Sequence, residues 1–256
     1  MRDPEQPVVA QAESAVKVVL FCGGQGMRLR GAVGSLPKPL VPIGGHPLLW
    51  HIMKYYAHFG HRDFVVCVGH QANAIRDYFQ RTPHDFRIRF VDTGLDSSIG
   101  ERFYAVRDEL AGEELFLANY GDTVTDVPLP ALVEHHAESG KAASLLSVRP
   151  NYTFNVVASD GPRVTGFQDI GESGIWINGG YFVFRADVFD YLEAGEDLPE
   201  MFRRLIAADQ LVTYAYEGFW APMDTLKDKQ RLESLVESGG SVWQVWETPG
   251  PAAASG

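Results

Sequence analysis

Only two cysteines, Cys22 and Cys67, occur in the 256 residues. They are too few for a disulfide framework and too far apart for a CxxC motif, which points to a reducing, cytoplasmic setting. No run of 18 or more apolar residues is present, so no transmembrane helix is expected. The polar stretch from Met1 to Ala15 lacks the charged and apolar regions of a signal peptide. Positive charge is also scarce. Lysine and arginine number 22 against 33 aspartates and glutamates, giving a net charge of −11. The basic residues are scattered, without the patch or stripe of a nucleic-acid surface, so neither nucleic acid nor membrane is an expected partner. An acidic chain that handles anions must gather its few cations locally.

What is present is enough for a core, since 45% of the residues are hydrophobic. Val16 to Cys22 (VKVVLFC) is a continuous apolar run ending in glycines, the pattern of a buried parallel strand. Pro47 to Phe59 follows with helical spacing, then a strand at Phe64 to Val68 and a helix at Ala72 to Phe79. Strands at Arg87 to Val91 and Glu114 to Ala118 continue the alternation. The repetition predicts an α/β fold with a doubly wound, mostly parallel, Rossmann-like mixed sheet. After about residue 145 short β-rich pieces dominate, at Ser144 to Val148, Phe154 to Ala158, Arg163 to Phe167, Ile177 to Phe184 and Leu211 to Tyr216. These are expected to be antiparallel strands that extend the sheet edge or cover it. Helical patterns return at Leu198 to Ala208 and Thr225 to Glu237. No linker divides the chain, so residues 16–247 are expected to form a single domain, with disordered ends at 1–15 and 248–256.

The cations do gather near the front. The first strand runs into Gly23-Gly24-Gln25-Gly26-Met27-Arg28, where glycines let backbone N–H groups approach an anion and Arg28 adds a forked cation. A tight strand exit would need the same glycines. The run does not continue as G-x-G-x-x-G, and no G-K-[ST] closes it, so it is neither a dinucleotide fingerprint nor a Walker loop. Ten residues beyond Arg28, Pro37 and Pro39 stiffen the backbone around Lys38. Asp122 follows the apolar LFLANY and a glycine, at the strand end where open α/β sheets bind ligands. Asp224 precedes the last long helix and reads equally as an N-cap. Asp126 reads as a loop or capping residue.

The run FCGGQGMRL…LPKPLVPIGGHPLLWHIMKYYAHFG resembles the sugar nucleotidyltransferase family, with its GGxGxRL and PKP elements. PLLWHIMKYY looks most like the glucose-1-phosphate cytidylyltransferase branch. The resemblance resumes in DFVVCVGHQANAIRDYF, VDTGLDSSIGER, YGDTVTD, INGGYFVF and FWAPMDTLKDKQRLE, covering about Val16 to Trp246. It implies a cytoplasmic enzyme that joins the nucleoside monophosphate of an NTP, here CTP, to a sugar 1-phosphate and releases pyrophosphate. Mg²⁺ is the implied cofactor, held by Asp122 and Asp224, and a homo-oligomer is the expected assembly. Arg28 and Lys38 would be catalytic. Leu20, Gly23, Gly24, Gly26, Met27, Arg28, Thr93, Gly100, Arg102 and Tyr120 would border the nucleotide in a half spanning about 16–145. Lys38, Asn178 and Gly179 would bind the sugar phosphate, in a β-rich half spanning about 146–247. Asn178 could also be a plain turn residue.

Departures from the pattern fall mostly on the sugar side. The family's F-x-E-K-P element, whose lysine contacts the sugar phosphate, is here Phe167-Gln168-Asp169-Ile170-Gly171, with a short loop to INGG. The loss of one charge-assisted contact to phosphate removes about 1.5–3 kcal/mol unless another group, such as Arg149 or Arg163, replaces it. In VDTGLDSSIGER, Ile99 and Glu101 stand where the cytidylyltransferases have threonine and glycine. Two readings stay open beside glucose 1-phosphate and CTP: a nucleotidyltransferase acting on a modified sugar or cyclitol phosphate with another NTP, and a nucleotide-binding regulatory subunit without catalysis. A nucleotide-sugar glycosyltransferase fits less well, because YGDTVTD lacks D-x-D spacing.

Overall fold

The computed structural model describes residues 15–24, 36–151 and 154–247. Gly26, Met27 and Arg28, most of the 1–15 segment and the 248–256 tail lie outside the described residues. The alternation read from the sequence appears as β1 (Lys17–Phe21), α1 (Leu48–His58), β2 (Asp63–Val68), α2 (Ala72–Arg81), β3 (Arg87–Asp92), α3 (Ile99–Ala105) and β4 (Leu115–Asn119). It continues through α4 (Leu129–Ser139), β5 (Ala143–Val148), β6 (Ile177–Arg185), α5 (Leu198–Ala207), β7 (Leu211–Tyr216) and α6 (Leu226–Glu237). The seven strands form one sheet in the order β7-β5-β6-β4-β1-β2-β3.

The unbroken apolar run of β1 reflects burial on both faces. Val18 and Leu20 point into one cluster with Leu49, Ile52 and Tyr56 of α1 and Leu232 of α6. Val19 and Phe21 point into the other, with Phe103 of α3 and Leu198, Met201 and Leu205 of α5. A strand with a period of two can fill two apolar layers only if every position is apolar. Among the described residues no helix is long and apolar enough to cross a membrane.

The β-rich half departs from the expected arrangement. β6 is the reversed strand, yet it sits inside the sheet, antiparallel to both β4 and β5. β7 runs parallel to β5 rather than antiparallel, because α5 carries the chain back before β7 begins. The hairpin Asn155–Asp160 with Arg163–Asp169 forms an antiparallel pair outside the main sheet. Its residues Val157, Val164 and Phe167 are exposed.

From β1 the chain adds β2 and β3 on one side, then returns to place β4 on the other. The connections therefore diverge between β1 and β4. In open α/β sheets such a reversal opens a crevice beyond the strands' carboxyl ends.

Candidate active site

A cleft of about 530 Å³ occupies that crevice. Cys22 and Gly24 after β1, and Tyr120 and Asp122 after β4, form its floor; Lys38 and Asp224 close one side, and Ser97, Ser98 and Asp197 line it too.

Backbone contacts that need glycine set the loop after β1. A Cβ on Gly23 would overlap the Arg102 guanidinium. Arg102 as a whole is 3% exposed. Its Nη1 donates to Thr93 Oγ1 at 2.7 Å and to the Gly94 carbonyl at 2.8 Å. Its Nη2 donates to the carbonyls of Gly23 and Leu95, each at 3.2 Å. One planar, five-donor group thus ties the β1 exit to the loop after β3, a task lysine's point charge cannot do. Thr93 is held from both sides, since its hydroxyl also donates to the Val68 carbonyl at 3.1 Å.

The two aspartates meet through a short ladder. Thr123–Thr125 pairs antiparallel with Trp220–Pro222, and the Met223 N–H donates to the Asp122 carbonyl at 2.9 Å. Asp122 and Asp224 therefore leave the end of the ladder side by side. Lys38 Nζ lies between their side chains, 2.9 Å from Asp122 Oδ2 and 2.6 Å from Asp224 Oδ1. Burial pulls the Lys38 pKa down, but the two adjacent carboxylates outweigh it and hold the value above that of free lysine. The ammonium is charged. Its backbone is fixed between Pro37 and Pro39 in the turn Lys38–Leu40, closed by Leu40 N–H on the Pro37 carbonyl at 2.8 Å.

Asp224 does not cap α6. Thr225 does, in a capping box with Asp228. Asp126 caps no helix either. Its carboxylate accepts from the Tyr216 hydroxyl at 2.7 Å and the Phe219 N–H at 2.9 Å, which ties β7 to the segment after β4.

Two carboxylate oxygens are a suitable donor set for a hard divalent cation that keeps its other positions for phosphate and water. Among the described residues no group of three or more His, Cys, Asp or Glu side chains is arranged to hold a metal.

Other residues singled out from sequence fall in several places. Leu20 is fully buried in the core of β1, and its side chain does not line the cleft. Gly100 is buried within α3; a Cβ there would overlap the Asp197 backbone, and its N–H donates to Asp197 Oδ1 at 2.8 Å. Close helix packing, rather than the cleft, accounts for that glycine. Tyr120 lines the cleft, and burial pushes its phenol up to about 12. Its hydroxyl accepts from Asn178 Nδ2 at 2.9 Å, while Asn178 Oδ1 accepts from the Gly180 N–H at 2.9 Å. Gly179 is buried and accepts the Trp220 indole N–H at 2.8 Å. The pairing of β6 with β5 slips between Asn178 and Phe182. Such bulges re-aim residues next to sites.

Sequence reasoning missed Ser97, Ser98 and Asp197. The signal for Ser98 was available, because Ser98 and Glu101 form the capping box of α3. Asp197 caps α5, accepting from the Leu198 N–H at 2.8 Å. In sequence it reads only as a helix start.

The model of the family described as nucleotidyl transferase matches residues 17–227. The chain belongs to that family. This nucleotidyltransferase is 34% identical to the glucose-1-phosphate cytidylyltransferase of Salmonella typhi, over 91% of its own length and 100% of that protein. Its fold is similar to that of a UDP-glucose pyrophosphorylase complexed with UDP-glucose, with a TM-score of 0.68 at 13% identity, covering 88% of this chain and 99% of that one. It is also similar to the inositol-1-phosphate CTP transferase from T. maritima, with a TM-score of 0.65 at 16% identity, covering 88% and 97%.

In this nucleotidyltransferase neither suggested substitute for the family's sugar-side lysine lines the cleft. Arg149 stacks on the Trp176 ring at 4.0 Å, pairs with Glu217 at 3.7 Å and borders a separate cavity of about 260 Å³. Arg163 sits on the exposed hairpin. Ile170 is half-buried in a short turn after that hairpin, its N–H bonded to the Phe154 carbonyl at 3.0 Å.

Proposed function

We propose that this nucleotidyltransferase transfers the cytidylyl group of CTP to a sugar 1-phosphate and that its metal is Mg²⁺. The observation that carries the reading is Lys38 lodged between Asp122 and Asp224 at the sheet's switch point. A phosphate oxygen of the sugar 1-phosphate attacks the α-phosphorus in line. The bond from that phosphorus to the bridging oxygen breaks, and pyrophosphate leaves with the electron pair. No general base is required, because the attacking phosphate is already anionic. The protein's share is positioning and charge neutralisation. Gly23 and Gly24 bring backbone to the triphosphate, Lys38 holds the phosphates in line, and Arg28 stabilises the departing pyrophosphate. Asp122 and Asp224 would hold Mg²⁺, which supplies further neutralisation of the phosphate charge. On the sugar side, Tyr120 and Asn178 present a hydroxyl and an amide already oriented by their mutual hydrogen bond.

The cytidine assignment rests on VDTGLDSSIGER and on the identity to the Salmonella typhi cytidylyltransferase. With Mg²⁺ and a panel of sugar 1-phosphates, pyrophosphate release should be about tenfold or more faster with CTP than with UTP, ATP or GTP, a difference of about 1.4 kcal/mol. A preference for a purine nucleotide would sink the cytidylyl reading and leave the family intact.

Ile170 sets the expected acceptor. Without the family's lysine, and with Arg149 engaged elsewhere, glucose 1-phosphate should be a poor acceptor and a modified sugar or cyclitol phosphate a better one. The Ile170→Lys variant should raise kcat/KM for glucose 1-phosphate about tenfold, the low end of one charge-assisted contact. Wild-type efficiency typical of a good substrate, or an inert variant that still binds CTP, would overturn this account of Ile170.

A further inference from the structure

The space between Asp122 and Asp224 holds a cation of the protein's own. The Lys38 side chain is 14% exposed, and the carboxylates that flank it are 31% and 23% exposed. A divalent cation bound by the same two oxygens, Asp122 Oδ2 and Asp224 Oδ1, must take the place the ammonium fills. Two positive centres cannot share that half-buried space without strong repulsion, since little water is left to screen them. The Lys38 backbone cannot withdraw, because Pro37 and Pro39 and the turn they frame fix it. Its four-carbon stem can swing, carrying the ammonium to another anion if one is offered.

We propose that Lys38 is a displaceable counter-ion. In the nucleotide-free protein it neutralises the carboxylate pair and keeps free divalent metal out. A metal–nucleotide complex brings both the replacement cation and new anionic oxygens for the ammonium, so metal and triphosphate enter as one ligand. The inference rests on the reading of Asp122 and Asp224 as metal ligands. Its consequence is a positive coupling between metal and nucleotide that originates in a side chain common to both sites.

The test measures Mn²⁺ binding, by the loss of the free-ion electron paramagnetic resonance signal, with and without CTP. Without nucleotide, Lys38→Met should bind Mn²⁺ about 10-fold or more tightly than wild type, because the competing charge is gone. Lys38→Arg, which keeps a cation there, should stay near wild type. Adding CTP should raise Mn²⁺ affinity by a larger factor in wild type than in Lys38→Met. Thermal melting reports whether Lys38→Met is folded, and Lys38→Gln serves if it is not. Equal Mn²⁺ affinity of wild type and both neutral variants without nucleotide would overturn the proposal. So would tightened binding that survives a second change, Asp122→Asn, because the metal would then sit elsewhere. No readout here depends on turnover. A protein that shows the Lys38 effect but transfers no nucleotidyl group would overturn the functional reading alone. An active cytidylyltransferase with Lys38-independent Mn²⁺ binding would overturn this inference alone.

Discussion

Asp122→Ala and Asp224→Ala are expected to fold with melting temperatures near wild type and to lose about a thousandfold or more in kcat/KM. Metal neutralisation of phosphate charge is worth several kcal/mol in a transition state. About 4 kcal/mol corresponds to three powers of ten. Stability should survive because neither carboxylate supports the core. Both reach Lys38, and removal of one leaves the ammonium paired with the other. Thr225→Ala is the contrasting variant. It removes the cap of α6, so it should cost about 1 kcal/mol of stability while turnover persists. Thermal melting and pyrophosphate release on the three variants separate the two roles. An Asp224→Ala protein with normal activity and a lowered melting temperature would restore the capping reading.

Arg102→Met should behave in the opposite way, losing stability first. The guanidinium serves the Thr93 hydroxyl and the carbonyls of Gly23, Gly94 and Leu95 from a site only 3% exposed. Methionine fills much of the volume but donates nothing, so the Thr93 hydroxyl and the exposed carbonyls of Gly94 and Leu95 lose this donor, while the buried Gly23 carbonyl keeps only the His70 N–H. A cost of about 3 kcal/mol follows. For a chain of this size that is a fall in melting temperature on the order of 10 °C. Affinity for CTP should fall as a consequence, because the loops after β1 and β3 lose their common anchor. Arg102→Lys should not rescue either property, since lysine cannot reach four acceptors as a planar fork. Calorimetry and CTP titration decide the matter. A loss of CTP affinity at unchanged melting temperature would mean that Arg102 touches the nucleotide directly.

The aspartate pair and Arg102 mark where the sequence was legible and where it was not. The strands β1, β2 and β4 declared themselves by apolar runs, β3 by its place in the alternation, and α1, α2, α5 and α6 by helical spacing. Helix α3 has no counterpart in the sequence reading although Ser98 and Glu101 carry a capping signature, because its seven residues are too few to show a period. Helix α4 was passed over behind prolines at 128 and 130, the second of which sits in the first turn, where proline is tolerated. The resemblance to sugar nucleotidyltransferases selected Asp122, Asp224, Lys38 and Tyr120, all of which line the cleft. It also selected Leu20 and Gly100, which the fold buries in packing.

The residues by themselves determined what depends on near neighbours. Strand and helix character, the stiff proline-braced lysine and the glycines at the β1 exit are all local matters of periodicity and backbone freedom. The direction of β7 and the place of β6 inside the sheet were decided only by how helices return the chain. The tertiary structure alone also turned Arg102 onto loop carbonyls and placed Asp197 on the cleft wall. It set Lys38 against Asp122, 84 positions away, and Asp224, 186 positions away. Contacts over such distances arise from the packing of whole elements, which no local pattern encodes.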